Sequence, residues 1–432
     1  MPQKNSIKTD NPNNKARILV IIPNFPSNVQ TFIAKELSDL SDIGYEMIIW
    51  PQKSSGNDPF DLPISKKLER FVRHHPSRLL ERLQCTFRAW VALRRTPGYA
   101  KAKRALIGEV FASVSVVPLL NFVKALRVSR EVNKNTDLVY AQFFRQPASI
   151  AYFVSLLTSA PWACSAHARD IWLSTPHERN LKVNSASWIA SCTTVGSNIL
   201  KDYANDPDTI HTIYHGVDKR THPPYDRPVD EADGRYAATP IKILTVGRIV
   251  EKKGFNYLIE ALSMLPNSLQ WSLTHIGPGK RTHKLQKLAV SLGVDKHIDF
   301  VGYVPQDVML DYFRRCDVFV LPSVVAKDGD MDGLPNSLAE AASQQMCCIS
   351  TNISEIPQMF TSGTDCLLVP ERDSRELADA LNLVLTDPKL RHSLGKEAAV
   401  TIREKFDHDS QMFRLSELFG QTFSARSNHD GN

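Results

Sequence analysis

A pair of cationic side chains follows a strand-like run in the second half of the 432-residue chain. Arg248 comes directly after the apolar run 241–247, and Lys253 follows five residues later, at the approach to a helical segment. Cations at the carboxyl end of a strand, beside the amino end of a helix, are well placed to bind a diphosphate. Arginine offers a planar fork to two oxygens, whereas lysine supplies a mobile point charge. Taken alone, the pair fits surface charges around a turn equally well.

Two carboxylates lie farther along, at the start of another helical segment. Asp332 opens the sequence DGLPN (332–336), and Glu340 follows eight residues after it. That separation would be roughly 12 Å if the segment were helical throughout, which is about the span from a hexose to a ribose across a diphosphate. Carboxylates accept hydrogen bonds from sugar hydroxyls, and Pro335 suits a first helical turn whose free amides would face the loop. Alone, such a pair is more often a helix cap and a solvated acid.

A histidine follows a strand-like run in the first half of the chain. His167 lies in SAHARD (165–170), where a side chain at a strand end could face a cleft and bond a substrate hydroxyl. The alternative interpretation, in which His167 and Asp170 cap the next helix, is the simpler one.

The chain offers no recognisable metal-binding motif. Asp328, Asp330 and Asp332 begin like a calcium-binding loop, but the twelfth position is Ala339 and a strand-like run precedes the segment, which excludes an EF-hand. Seven cysteines stand at spacings that fit neither a zinc site nor a redox pair, so we expect buried, reduced thiols. The pattern indicates a protein of a reducing compartment, with no metal and no cofactor.

The strands and helices that would position these residues alternate along both halves of the chain. Six short apolar runs lie before residue 220 and six lie after residue 238, and helix-periodic segments separate them. Short apolar strands that alternate with amphipathic helices predict parallel sheets covered by helices. The expected fold class is therefore α/β, with two doubly wound, Rossmann-like domains. In such sheets a ligand binds where the strands end, here in the cleft between the domains.

Composition sets the expected boundaries of these domains. The polar segment 1–15 is expected to be a disordered lead, because it lacks the apolar stretch that a secretory signal needs. The first domain spans 16–220, the proline-rich segment 221–238 is a linker, and the second domain spans 239–402. The tail 425–432 is also expected to be disordered.

The net charge of +6 is concentrated in the first part of the chain. Residues 1–235 carry 31 Lys and Arg against 22 Asp and Glu, whereas the remainder carries 21 against 24. The stretch 66–104 alone has 12 basic residues and two acids, interleaved with leucines, Phe87 and Trp90. This pattern suits an anionic membrane surface and a solvated helix face equally. Nucleic acid is not an expected partner, because no recognised reading module accompanies the charge.

Together the motifs resemble family 4 of the GT-B glycosyltransferases. The resemblance is strongest over 241–391, in ILTVGRIVEKKGFNYLIEAL, HIGPG, FVGYVPQDVMLDYF, CDVFVLPS, DGLPNSLAEA, ISEIPQMF and GTDCLLVPERD. In the first domain, FPSNVQTFIAKEL, SAHARDIW and YHGVD are similar to the subgroup that makes colanic-acid-like bacterial exopolysaccharides. The resemblance implies the GT-B fold, in which two domains face a central cleft and the last helix, at about 403–423, crosses back to the first domain.

The resemblance also implies roles for individual residues. Arg248 and Lys253 would hold the donor diphosphate. Glu340 would bond the ribose, and Asp332 the transferred sugar. The catalytic residues are expected to be His167, Arg248, Lys253 and Asp332. The full donor site would comprise Arg248, Lys253, Tyr303, Val304, Asp332, Gly333, Leu334, Pro335, Asn336, Ser337, Leu338 and Glu340. The acceptor side would comprise Phe25, Pro26, Ser27, Gln30, Thr31, Arg169 and Asp170.

The implied activity is the retaining, metal-independent transfer of a hexose from a UDP- or GDP-linked donor to a glycan or lipid-linked oligosaccharide. Such an enzyme would be cytoplasmic and peripheral on the inner face of the cell membrane. The chain departs from the pattern at Asp332 and Gln30, where Glu is usual, and in the loop 23–28, which lacks a Gly-Gly pair. The alternatives are a catalytically impaired glycan- or membrane-binding protein and a nucleotide-sugar epimerase. A Rossmann oxidoreductase is excluded, because no GxGxxG follows the first strand.

Overall fold

The computed structural model describes residues 16–26, 31–54, 63–73, 78–132, 136–229, 232–235 and 239–430. Two parallel six-stranded sheets organise these residues. The strands of the first sheet are β1 (Arg17–Phe25), β2 (Glu46–Ser54), β3 (Thr136–Gln142), β4 (Trp162–Ala166), β5 (Ile189–Ser191) and β6 (Ile210–Thr212). Those of the second are β7 (Ile241–Val246), β8 (Trp271–Ile276), β9 (Ile298–Gly302), β10 (Val318–Leu321), β11 (Cys347–Thr351) and β12 (Leu367–Val369). Their orders are β2-β1-β3-β4-β5-β6 and β12-β11-β10-β7-β8-β9.

Helices connect the strands and cover both faces of each sheet. In the first half they are α1 (Thr31–Ile43), α2 (Pro63–Leu68), α3 (Leu79–Leu93), α4 (Pro97–Ser113), α5 (Val117–Val128), α6 (Gln146–Thr158), α7 (Ala168–Trp172), α8 (Pro176–Val183) and α9 (Thr194–Lys201). In the second half they are α10 (Phe255–Ser263), α11 (Thr282–Ser291), α12 (Gln306–Arg315), α13 (Asn336–Ser343), α14 (Ile356–Met359), α15 (Ser374–Thr386), α16 (Pro388–Lys405) and α17 (His408–Asp430). The predicted α/β fold with two doubly wound domains is confirmed.

The strands are apolar along their length because helices bury them from two sides. Residues 18–22 of β1 are at most 1% exposed, and alternate side chains enter separate apolar clusters on the two faces of the first sheet. A parallel sheet buried in this way needs continuous apolar runs, which is why the sequence marks each strand so clearly. The run 190–197 is an exception. There the strand β5 ends at Ser191, and Thr193 caps α9 by accepting a hydrogen bond from the Gly196 amide.

The last helix crosses back to the first domain, as predicted. Phe419 on α17 is fully buried, and its ring centroid lies 5.1 Å from that of Tyr140 and 5.3 Å from that of Trp188. The indole of Trp188 also donates to Thr422 Oγ1 at 2.9 Å. The prediction of a disordered tail from residue 425 is wrong for 425–430, because α17 continues through Asp430. No glycine or proline interrupts residues 421–430, so nothing in this stretch stops the helix.

The predicted linker lies between the two sheets, where residues 221–229 and 232–235 form no helix or strand. Its Arg227 guanidinium donates to the carbonyl oxygen of Cys316 at 2.7 Å and so fastens the segment to the second domain. The predicted disordered lead, 1–15, lies outside the described residues. Among the helices that the structure describes, none is both long enough and apolar enough to cross a membrane.

Candidate active site

The loop after β7 packs closely against the end of β10. Gly254 has a left-handed backbone (φ +64°), and a Cβ there would lie 1.9 Å from the carbonyl oxygen of Pro322. Only glycine permits the chain to pass so near, because any side chain would overlap this carbonyl. The close passage brings Lys252 and Lys253 beside the segment that follows β10, where Asp332 lies.

Asp332 interacts with both of these lysines. Its Oδ2 lies 2.8 Å from Lys253 Nζ, and its Oδ1 lies 3.5 Å from Lys252 Nζ. The hydroxyl of Ser323 also donates to Oδ2 at 2.9 Å. Burial opposes ionisation, but the ammonium groups of Lys253 and Lys252 more than offset it, so the pKa of Asp332 lies below its ordinary value. Lys253, which is expected to bind a diphosphate, is thus paired with Asp332, which is expected to bind a sugar.

Two other predicted donor residues have open polar groups. Arg248 is exposed, and within the described residues its guanidinium makes no hydrogen bond or ion pair. Glu340 is half-buried on α13. Its carboxylate makes no hydrogen bond or ion pair with any residue that the structure describes. Tyr303, 58% exposed, and the half-buried Val304 follow the end of β9. Because the second sheet is parallel, the loops that carry Arg248, Asp332 and Tyr303 all lie at its carboxyl edge.

The helix α13 begins one residue later than the sequence suggests. Pro335 is the N-cap rather than part of the first turn, and its carbonyl accepts from the Leu338 amide at 3.0 Å. The amides of Asn336 and Ser337 therefore have no acceptor within the helix. The Ser337 hydroxyl donates to the carbonyl of Val246 at 3.1 Å, which ties the start of α13 to the end of β7. Within residues 332–340, only 336–340 are helical. The separation of roughly 12 Å between Asp332 and Glu340, which assumed an unbroken helix, therefore does not apply.

His167 leaves β4 at the cleft edge of the first sheet but is not free there. It is 7% exposed, and its Nε2 lies 3.3 Å from Gln142 Oε1. Its Nδ1 lies 3.2 Å from Nε2 of His215, whose ring stacks on Phe32 at 4.1 Å between centroids. His167 occupies the N-cap position of α7, as the alternative interpretation holds, but its imidazole makes no capping bond to that helix.

The hydrogen bonds of Gln142 define the tautomer of His167. Gln142 Nε2 donates to Glu36 Oε1 at 2.6 Å, which leaves its carbonyl oxygen facing the imidazole. With this amide orientation, His167 Nε2 carries the proton and Nδ1 accepts from His215. The pKa of His167 lies well below its ordinary value, mainly because the ring is buried and also because His215 is its neighbour. Burial lowers the pKa of His215 to about 4. Both rings are therefore neutral at pH 7.

The residues predicted for the acceptor side have diverse positions. Arg169 is exposed and reaches across to the second domain, where it lies 3.8 Å from Asp328 and 3.7 Å from Asp330. Asp170 instead turns inward, where its carboxylate accepts from the Phe144 amide at 2.9 Å and burial raises its pKa to about 6.

At the end of β1 and in the loop after it, the described residues expose less of the predicted acceptor side than expected. Phe25, the last residue of β1, is 4% exposed and packs in the apolar core, so its side chain does not form part of the described surface. Pro26 is also buried. Ser27 and Gln30 lie outside the described residues. Thr31 begins α1, and its side chain is likewise outside the description.

The two domains touch along one side of the cleft. A Cβ on Gly333 would lie 2.8 Å from both Ala168 Cβ and Thr193 Cγ2 of the first domain. Glu355 is fully buried, and its carboxylate accepts from the Thr194 amide at 2.8 Å and the Val195 amide at 3.0 Å. A second-domain carboxylate thus caps the amino end of a first-domain helix, where a negative charge is favoured.

One group of side chains has the spacing of a metal site. Ligand atoms of His167, Cys192 and His215 lie within 4.8 Å of one another. The histidine nitrogens already pair with each other and with Gln142, and burial raises the pKa of Cys192 to about 12, which disfavours the thiolate. The site therefore suits a neutral hydrogen-bonded cluster better than a metal. That the reaction needs no metal stays a prediction.

The sequence reasoning missed the partners of the named residues. Gln142 is the last residue of the apolar strand β3, at the same edge as His167, and this position was a usable signal. Lys252 adjoins Lys253, and His215 lies within the quoted YHGVD. For Glu36 and Glu355 no local signal exists, because each acts on residues more than 100 positions away.

Comparison with known proteins identifies the second domain. Residues 226–401 match the model of the glycosyl transferases group 1 family. The match covers less than half of the chain, and these residues are similar to the group 1 glycosyl transferases. The match confirms the resemblance to GT-B enzymes of family 4 that the motifs indicate. It covers most of the second domain and every predicted donor residue, from Arg248 to Glu340.

Similar proteins include exopolysaccharide glycosyltransferases. The chain is 35% identical over 169 residues to the putative colanic acid biosynthesis glycosyltransferase WcaL of Escherichia coli K12, covering 38% of this chain and 39% of WcaL. It is 34% identical over 143 residues to the amylovoran biosynthesis glycosyltransferase AmsK of Erwinia amylovora, covering 33% of this chain and 35% of AmsK. The chain thus spans well under half the length of these curated relatives. The predicted likeness to the colanic-acid subgroup is confirmed.

A solved structure shares the whole fold. Alr3699/HepE of Anabaena, in complex with UDP and glucose, superposes with a TM-score of 0.66 at 15% identity, and the match covers 94% of this chain and 100% of that chain. At this sequence identity the similarity shows the fold alone. The match includes both domains, which together form the GT-B fold.

Proposed function

We propose that the chain is a retaining glycosyltransferase that moves a hexose from a nucleotide diphosphate sugar to a lipid-linked glycan, in the synthesis of a bacterial exopolysaccharide or another cell-surface polysaccharide. The observation that supports this most is the grouping at one edge of the second sheet. The open guanidinium of Arg248, the ammonium of Lys253 and the unpaired amides of α13 offer positive potential for a diphosphate. The printed names of WcaL and AmsK, and the UDP and glucose bound to HepE, support the same reaction class.

The donor diphosphate would replace Asp332 as the ion-pair partner of Lys253. In the unliganded site Lys253 holds Asp332, so a diphosphate that binds Lys253 releases the carboxylate for a sugar hydroxyl. Glu340 would bond the ribose, and Tyr303 and Val304 would lie at a uracil or guanine base. Because both ring nitrogens of His167 are engaged, this residue would bond to the sugar only by giving up its bond to His215 or its bond to Gln142.

The proposed transfer proceeds on one face of the sugar. The bond between the anomeric carbon and the β-phosphate oxygen breaks, and the acceptor oxygen bonds to the same face. The acceptor hydroxyl gives its proton to the leaving phosphate oxygen. Arg248, Lys253 and the α13 amides bind the charge as it develops, and such contacts accelerate a reaction because they strengthen in the transition state. No metal or cofactor enters this scheme.

The catalytically impaired binding protein remains a second candidate, because Asp332 is one methylene shorter than Glu and is held by two lysines. A turnover assay separates the two. Wild type is incubated with a labelled nucleotide sugar and membranes of the source bacterium, and the anomeric configuration of the product is read by NMR. We expect label in the lipid fraction, with the donor configuration retained.

Variants of the donor site complete the assay. Arg248→Ala and Lys253→Ala should each lose about 100-fold or more in turnover. The control is Lys296→Ala, an exposed lysine just before β9, at the opposite edge of the sheet, and it should act like wild type. Nucleotide binding without transfer would favour the binding protein, and donor conversion without acceptor would favour an epimerase. The proposed location of the enzyme is the cytoplasmic face of the cell membrane.

A further inference from the structure

Three helices between β2 and β3 form an added layer on the first domain. We call residues 79–128 the α3–α5 layer. Its inner side is anchored by the buried Ala89 and Ala102 and by the Trp90 indole, which donates to the Tyr99 hydroxyl at 3.1 Å. Both α4 and α5 pack on α6 of the Rossmann-like core. The layer is therefore a fixed part of the domain with a second, outward surface.

The outward surface of α3 carries an apolar stripe. Its members recur every four residues and so share one face of the helix. They are Leu79, Leu83, Phe87 and Val91, which expose 71%, 57%, 61% and 43% of their surface. A surface helix normally turns such a stripe toward the core, and within the described residues nothing covers this one.

The end of α4, the connection and the start of α5 carry further exposed apolar residues, and we call this segment, 111–120, the tip. Its large apolar residues are Phe111, Val114, Val116, Val117, Leu119 and Leu120, all exposed. Val114, 91% exposed, has a left-handed backbone (φ +48°) that glycine would adopt more easily. An apolar side chain is thus retained in solvent despite a conformational cost. Contiguous apolar surface of this kind marks an interaction site.

The charge of the α3–α5 layer indicates which kind of partner would bind its exposed apolar surface. Residues 78–132 contain eleven Lys and Arg against three Asp and Glu, a larger surplus than the +6 of the whole chain. Two of the three acids are paired: Glu109 with His177, and Glu131 with Arg73. A second copy of the chain would bring the same positive charge against itself. A surface that is anionic outside and apolar beneath fits both the cations and the exposed aliphatic groups.

We propose that the α3–α5 layer docks on an anionic lipid bilayer, with the tip inserted between lipids and the flanking lysines and arginines at the headgroups. The inference extends the proposed function, since a lipid-linked acceptor is met at such a surface. Docking itself does not require transfer. It adds to the basic stretch 66–104 an apolar insertion site, 111–120, that lies outside that stretch.

The tip lies on the cleft side of the first domain. Glu109, two residues before Phe111, contacts His177 Nε2 at 2.5 Å in the first turn of α8. The chain reaches α8 from the carboxyl end of β4 through α7, the edge that carries His167. Insertion of the tip would therefore turn the rim of the cleft toward the bilayer, where an acceptor on a lipid carrier is presented.

Sedimentation with vesicles tests the proposal on the full chain. We expect binding to vesicles of phosphatidylcholine with phosphatidylglycerol, and little binding to phosphatidylcholine alone. Phe111→Ser/Leu120→Ser should lower the partition coefficient roughly tenfold or more, because two exposed apolar groups no longer enter the bilayer. Lys101→Glu/Arg104→Glu should also weaken binding and reduce its salt dependence. The control is Met264→Ser/Val290→Ser, which removes exposed apolar groups from the second domain and should bind like wild type.

Several outcomes would overturn the proposal. One is the absence of vesicle binding, and another is binding that the tip variant leaves unchanged. A dimer in solution that Phe111→Ser/Leu120→Ser abolishes would assign the tip to a second copy instead. Stabilisation by nucleotides is measured on the same samples. If nucleotides bind and vesicles do not, docking fails alone; if vesicles bind and no nucleotide does, the proposed function fails alone.

Discussion

At the scale of single residues, Lys253 and Asp332 stabilise each other, and we expect their removal to be coupled. Lys253→Ala leaves a buried carboxylate with the Ser323 hydroxyl and the more distant cation of Lys252, so the free energy of unfolding should fall by about 1–3 kcal/mol at pH 7. Lys253→Ala/Asp332→Asn should regain much of this loss. Because the pKa of Asp332 is depressed, the pair contributes stability above about pH 4 and loses it at lower pH. Urea unfolding at pH 7 and pH 3 measures both effects, and a double variant no more stable than Lys253→Ala would contradict the coupling.

Glu36 makes the opposite contribution to the pH dependence of stability. Burial, against the bonds from Tyr140 and Gln142, raises its pKa from 4.5 to about 7. The folded state therefore retains a proton that the unfolded state loses, and the free energy of unfolding should decline by about 3 kcal/mol as pH rises from 4.5 to 7. Glu36→Gln should abolish this decline and be more stable than wild type at pH 8. Urea midpoints between pH 5 and pH 8 measure the slope.

A matched control distinguishes this effect from a general loss of a carboxylate. Glu178 caps α8, and although burial opposes it, Lys182 and the Thr175 amide lower its pKa. Glu178→Gln should therefore be less stable than wild type at neutral pH. If both variants shifted stability in the same direction at pH 8, the assignment of the slope to Glu36 would be wrong.

The sequence predicted individual site residues better than their partnerships. Arg248, Lys253, Asp332 and Glu340 all lie at or beside the carboxyl edge of one sheet, as strand-end positions in a parallel fold require. That Lys253 holds Asp332 could not be read from the chain, since it depends on how two loops pack. His167 was found, but its engagement by Gln142 depends on a neighbouring strand.

At the scale of elements, the contact of Glu355 with α9 should control the local stability of that helix. Glu355→Ala leaves the half-buried amides of Thr194 and Val195 without this acceptor. We expect amide hydrogen exchange in α9 to become roughly tenfold or more faster. Glu178→Ala, which removes the side-chain acceptor at the start of α8, is the control and should leave exchange in α9 unchanged. Unaltered protection of α9 in Glu355→Ala would show that the domain contact carries little energy.

Strands were more predictable than helices, for a physical reason. Parallel strands buried on two faces are continuous apolar runs, so a local pattern reveals them. The α3–α5 layer was predicted only in part, as the basic helical stretch 66–104, because its apolar residues lie on both the inner and outer faces and blur the helical period. The end of α17 was missed because polar residues can extend a helix that is already anchored by Phe419.

At the scale of the whole molecule, the fold brings three proposed functional surfaces to one rim. The second domain presents the open guanidinium of Arg248 beside Lys253, where we propose that a nucleotide diphosphate binds, and the first domain presents the neutral His167 cluster opposite. The tip of the α3–α5 layer extends from the same side as the cleft. A donor from solution and an acceptor on a membrane would thus meet between the domains, which agrees with the two-domain architecture predicted from alternating strands and helices.

The most direct test of the central claim is stabilisation by nucleotide. Thermal unfolding is followed for wild type, Lys253→Ala and Lys296→Ala with UDP, GDP and ADP, each compared with the same variant without ligand. A nucleotide at about 100 times its dissociation constant should stabilise by about 2.7 kcal/mol. We predict that UDP or GDP stabilises wild type and Lys296→Ala but not Lys253→Ala. If no nucleotide stabilised wild type, or if Lys253→Ala responded as wild type does, the donor site would not be where the structure places these cations.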